Sequence, residues 1–175
     1  MILGMSTHAY TLLHVIISLL GIGSGMVVAF GLLAAKRLNG LTAFFLITTV
    51  LTSVTGFGFP NAHITPGIKI GILSMIVLAI AIFARYIRQL AGAWRRIYVV
   101  TAMMALYFNV FVLVVQSFEK VPALQALVSK YSHTPFAITQ LLVLVLFMVL
   151  GIFAVKRFRV EPPPSVRVAG ASAGR

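Results

Sequence analysis

The sequence predicts an all-α bundle of five membrane spans, and three observations predict it. Hydrophobic residues make up 61% of the 175 positions and charged ones only 9%, whereas about a quarter of a soluble domain is charged. The mean hydropathy is +1.08. The apolar residues fall into five runs, each near the roughly 20 residues that cross a hydrocarbon core, with short polar or basic turns between them. Residues 1–158 read as one transmembrane domain with spans at about 10–35, 41–59, 66–88, 97–118 and 135–155. Residues 159–175, with Pro162-Pro163-Pro164 and an Ala/Gly/Ser end, read as a flexible cytoplasmic tail.

The first span follows an N-terminus with no charged residue before Lys36. A cleaved secretory signal needs a basic start and a shorter apolar core, so this segment is expected to stay in the mature protein. Lys36-Arg37-Leu38-Asn39-Gly40 is a basic turn, and the second span runs to Phe59. After the Pro60 to Gly67 loop, Thr65 reads as an N-cap with Pro66 at the first helical position of the third span. Gln89 to Arg96 is a second basic turn that places Trp94 at interfacial depth. The fourth span is uncharged, and Pro122-Ala-Leu-Gln-Ala-Leu-Val after it reads as a short helix lying in the interface. Thr134-Pro135 repeats the cap-and-proline start for the fifth span. The structural alternative is four spans with one run re-entrant.

Charge fixes an expected orientation. Lys36, Arg37, Arg85, Arg88, Arg95, Arg96, Lys156, Arg157, Arg159, Arg167 and Arg175 fall on one side, and only Lys69, Lys120 and Lys130 on the other. The rule that Lys and Arg stay inside puts the N-terminus outside and the C-terminus in the cytoplasm. Because the net charge of +12 flanks apolar runs rather than forming a patch, nucleic acid is not an expected partner. Arg85, Arg88, Arg95 and Arg96 with Trp94 are expected instead to meet anionic lipid headgroups.

Several chemistries are excluded. There is no Cys, hence no disulfide or thiolate site, and no Asp, hence no Ser-His-Asp triad. Both acids, Glu119 and Glu161, lie outside the spans, so neither a carboxylate pair nor an intramembrane proton relay can form. Gly21-Ile-Gly-Ser-Gly lies within a span, not after a strand, and is no nucleotide fingerprint. Whether the chain is an enzyme is left open.

All four histidines fall on the expected outer side: His8, His14, His63 and His133. Tyr10, His14, Ser18, Gly21, Gly25 and Ala29 form one stripe at helical spacing, so His14 is expected to face protein. Thr48, Thr52 and Thr55 share one face of the second span, and Thr49, Ser53 and Gly56 the next. Thr101, Ala105, Asn109, Val112 and Gln116 line the fourth. The sharp reading is an outer-half pocket of His14, Ser53, Thr55, Gln116 and Gln140 with His63 and His133 at its mouth. Such a pocket would hold haem, copper or a quinone headgroup, with His14, His63 and His133 as metal ligands. The plain reading is helix packing: no His-x3-His pair exists, hydroxyls bond to their own backbone, and small residues let helices approach.

Thr52 to Pro60, TSVTGFGFP, and Leu106 to Leu124, LYFNVFVLVVQSFEKVPAL, give the chain a resemblance over most of Ala9 to Phe158. It resembles an uncharacterised family of small bacterial multi-pass inner-membrane proteins. The resemblance implies a bacterial cytoplasmic membrane and carries no activity, cofactor or partner. Two functions are therefore expected from different classes. One is a non-enzymatic component that binds lipid or a small hydrophobic ligand, or assembles with a membrane protein or its own copy. The other is a redox protein holding haem, copper or quinone at the outer face.

Overall fold

A computed structural model describes residues 2, 4–59 and 65–158. Five of its helices are long and apolar enough to cross a membrane. They are α1 (Thr7–Leu33), α2 (Asn39–Phe57), α3 (Pro66–Ile82, extended by a π-helical turn at Phe83–Ile87), α4 (Trp94–Lys120) and α6 (Thr134–Arg157). The short α5 (Pro122–Tyr131) joins α4 to α6 and has no buried residue, as a helix lying off the bundle requires. The five-span expectation thus matches, with α4 beginning three residues earlier than the apolar count because Trp94 opens the helix.

Local chemistry sets the helix ends. Ser6 caps α1 by accepting from the Ala9 N–H at 3.1 Å. Thr65 caps α3 by accepting from the Ile68 N–H at 3.3 Å, with Pro66 at the first helical position as its spacing predicts. The repeat at Thr134-Pro135 behaves differently. His133 occupies the cap position, its carbonyl accepting from the Ala137 N–H at 3.0 Å, and no side chain caps α6.

Successive helices run antiparallel, so the bundle has a basic end, with Lys36, Arg85, Arg95 and Lys156, and a histidine end, with His8, His14 and His133. α4 is the hub. Half of its apolar window is buried against 11% for α6, which packs on α4 and α1 and leaves most of its surface outward. The core runs through Phe45, Leu78, Tyr98, Val99, Ala105 and Leu106.

The small-residue stripe of α1 faces inward. A Cβ on Gly25 would lie 2.6 Å from Leu106 Cδ1 and 2.7 Å from Phe45 Cε2, so only glycine lets α1 approach α2 and α4 there. One turn away, Gly21 sits against Thr48, Thr49 and Asn109. Asn109 Nδ2 donates to Thr49 Oγ1 at 3.3 Å, a bond from α4 to α2 in the middle of the bundle. The α2 hydroxyls also donate to their own helix. Thr48 reaches Phe44 O at 2.8 Å, Thr49 reaches Phe45 O at 2.8 Å and Thr52 reaches Thr48 O at 2.9 Å. This back-bonding satisfies them without a ligand.

Candidate functional site

At the histidine end, α1 and the end of α2 build one compact cluster. Thr55 donates its hydroxyl to Leu51 O at 2.7 Å, so its oxygen accepts from His14 Nδ1–H, also at 2.7 Å. That network assigns the proton to Nδ1 and leaves Nε2 as an unprotonated acceptor. Tyr10 donates to Thr55 O at 2.8 Å. The Phe59 ring meets Tyr10 and His14 edge-on, at centroid distances of 5.1 and 5.3 Å. Glycines make the room: a Cβ on Gly58 would overlap the Tyr10 hydroxyl, and one on Gly56 would touch His14 Cε1.

The other expected members of an outer pocket go elsewhere. Ser53 is buried and donates to Thr49 O at 3.2 Å, inside α2. Gln140 is buried on α6 and donates from Nε2 to Phe111 O at 3.1 Å, tying α6 to α4, while its Oε1 has no partner among the described residues. Gln116 donates to Glu119 Oε2 at 3.4 Å at the end of α4. His133 and His8 are exposed. His63 lies outside the described residues. Of the proposed set, then, the structure joins His14 directly to Thr55 alone. Among the described residues no three His, Cys, Asp or Glu side chains come together as a metal site.

The basic end holds a feature that residue patterns did not single out. Between α4 and α6 runs a groove of about 400 Å³, its wall apolar throughout, within the range of small-ligand sites. Met103 and Phe147 are buried and form its floor, while Val100, Met104, Leu144, Met148 and Ile152 are exposed along its lips. Gly151 opens it: nothing lies within 4 Å of where a Cβ would be. From Leu144 to Lys156 the α6 backbone rises about 18 Å at 1.5 Å per residue, close to half of a hydrocarbon core about 30 Å thick. Lys156 lends its aliphatic stem to the mouth of the groove. Beside it, Arg95 Nη1 donates to Val155 O at 3.4 Å.

The arginines of this end divide. Arg88 lies over the Trp94 ring at 5.4 Å from its centroid, which Phe83 meets edge-on at 5.2 Å. Arg96 is exposed. Arg85 turns inward instead and is 8% exposed, donating from Nη2 to Asn39 Oδ1 at 2.8 Å. Its guanidinium lies 5.0 Å from the Tyr98 ring centroid and 5.8 Å from that of Tyr86. The expected headgroup cluster is therefore split between surface and interior. The chain matches no protein-family model, and neither a curated protein nor a solved structure is similar to it.

Proposed function

We propose that this chain is a multi-pass protein of a bacterial cytoplasmic membrane that binds anionic phospholipid in the groove between α4 and α6. The single observation that carries this reading is an apolar groove one leaflet deep with cations, Lys156 and Arg95, at its mouth. Hydrocarbon suits a wall with no polar surface, and a phosphodiester suits the mouth. Arg96, exposed one turn before Val100 on α4, extends the same positive rim. The bias of Lys and Arg supports an outer N-terminus and a cytoplasmic C-terminus, so the groove opens to the cytoplasmic leaflet. The bacterial setting rests on the resemblance of Thr52 to Pro60 and Leu106 to Leu124. Methionines at positions 103, 104 and 148 give the wall side chains that adapt to chains of different shape.

Lipid analysis of the purified protein tests this. Gly151→Leu fills the groove from a helical position that leucine favours over glycine by about 0.8 kcal/mol, so the fold is retained. Co-purified phospholipid is expected to fall several-fold, and joint Arg95→Gln and Lys156→Gln substitution to remove the preference for phosphatidylglycerol over phosphatidylcholine. Unchanged lipid content in Gly151→Leu would falsify the reading.

One observation favours a second reading, haem, copper or quinone at the outer face. Thr55 fixes His14 through Nδ1 and leaves Nε2 free, the arrangement in which a neighbour orients a histidine for a ligand. A haem or copper form predicts a Soret band or stoichiometric metal in freshly purified protein, abolished by His14→Ala. Extraction and chromatography of bound quinone tests the remaining form.

A further inference from the structure

The inward turn of Arg85 brings its charge beside two buried hydroxyls with no carboxylate at hand among the described residues. Tyr98 is fully buried, and its hydroxyl lies beside Thr42 and Arg85 without a hydrogen bond of good geometry to either. Thr42 is 2% exposed and Arg85, at 8%, is the most open of the three. Arg85 spends one N–H on the neutral amide oxygen of Asn39, out of the five a guanidinium carries. Two tyrosine faces complement its charge, yet no carboxylate stands near it among the described residues. Glu119, the one described acid, sits at the opposite end of α4, about 30 Å from Tyr98 at 1.5 Å per residue.

A buried charge is ordinarily paired, and a buried hydroxyl ordinarily bonded. Here α2, the π-helical turn and α4 converge a cation, a phenol and a hydroxyl, with no negatively charged oxygen beside them among the described residues. We propose that the basic end of the bundle binds a phosphate-class oxyanion through Arg85 and Tyr98. The forked guanidinium and the phenol supply charge-assisted hydrogen bonds to it. This site is separate from the lipid groove and does not rest on it. At 3.6 residues per turn, Val100, Met103, Met104 and Tyr107 lie on the face of α4 opposite Tyr98. The phosphate can be free in solution or belong to a lipid headgroup.

Thermal unfolding of the full chain tests the site and tells the two sources apart. In delipidated detergent solution, the midpoint is read against inorganic phosphate, with chloride at equal ionic strength as control. In nanodiscs without added phosphate, phosphatidylglycerol is compared with an uncharged galactolipid. A saturable rise with inorganic phosphate assigns the free anion, and a rise with phosphatidylglycerol alone that persists in Gly151→Leu and weakens in Tyr98→Phe assigns the headgroup. Tyr98→Phe keeps the packed ring and is expected to weaken the response about tenfold, and Arg85→Lys, which keeps charge but loses the fork, to abolish saturation. Gly151→Leu should leave the response to inorganic phosphate intact, and in nanodiscs should remove only the part of the phosphatidylglycerol effect that the groove contributes. Three results overturn the proposal: no response in the unaltered chain to either source, an undiminished response in Tyr98→Phe, or loss in Gly151→Leu of the inorganic-phosphate response or of the whole phosphatidylglycerol response. A stability loss in Glu161→Gln combined with no phosphate response gives the role to the chain's own carboxylate and overturns it equally.

Discussion

The two ends of the bundle carry polar groups in similar number and treat them differently. At the histidine end His14 donates to Thr55, Tyr10 to the Thr55 carbonyl and Gln116 to Glu119, while the amide oxygen of Gln140 is left without a partner among the described residues. At the basic end donors outnumber acceptors, with Tyr98 unpartnered, Arg85 on a neutral amide, and Arg95 on a backbone carbonyl. The His14, Thr55 and Tyr10 cluster satisfies itself, whereas the buried guanidinium of Arg85 meets only neutral groups among the described residues. The histidine most conspicuous in the sequence, His14, thus sits in a self-bonded cluster, and Arg85, which the sequence groups with surface cations, carries the buried charge.

Three substitutions break or sharpen this contrast. The largest effect belongs to the waist that both ends share: Gly25→Leu drives a side chain into Phe45 and Leu106 and is expected to cost about 3 kcal/mol. Stability by denaturant titration should fall whatever lipid or phosphate is present. A cost confined to lipid-free protein would mean that the waist belongs to the basic end alone. His14→Leu comes next, losing one hydrogen bond and an edge-on ring contact at an expected cost of about 1–2 kcal/mol. Bound phospholipid should be unchanged, and a drop in it would join the two ends. The smallest effect is expected from Gln116→Leu. Its bond to Glu119 is exposed, and surface changes stay within about 0.5 kcal/mol.

Much of the fold was legible because bilayer chemistry writes it coarsely. Span positions follow from apolar run length, and the start of α3 from Thr65 and Pro66. The inward face of α1 follows from small residues at helical spacing, which the burial of Gly21, Gly25 and Ala29 matches. Pairings across helices were not legible. Thr49 and Asn109 each sit on a predictable face of their own helix, but only relative register brings them to 3.3 Å. Nor was the groove, since Met104 and Met148 read alike in sequence whether they line a groove, face lipid or fill a core. Arg85 shows the same limit for charge. Counted with Arg88, Arg95 and Arg96 it marks a basic turn, yet its helical phase, in line with buried Ala81 and Ala84, carries it inside.

The pairing of α4 and α6 has a further consequence. The two helices are fastened near one end by α5 and by the edge-on contact of Phe118 with Phe136 at 5.6 Å. They are fastened near the other by Arg95 on Val155 and by Phe158 tucked beside Tyr98. Between these points α6 stays on α4, with Gln140 on Phe111 O at 3.1 Å and the Tyr107 and Phe147 rings 5.8 Å apart, so the groove is an open-sided furrow rather than a gap between the helices. On the proposed lipid-binding reading, an acyl chain would enter it sideways, across the exposed lips at Val100, Met104, Met148 and Ile152, rather than being threaded from either end. Exchange would be paced, on that reading, by lateral diffusion of lipid.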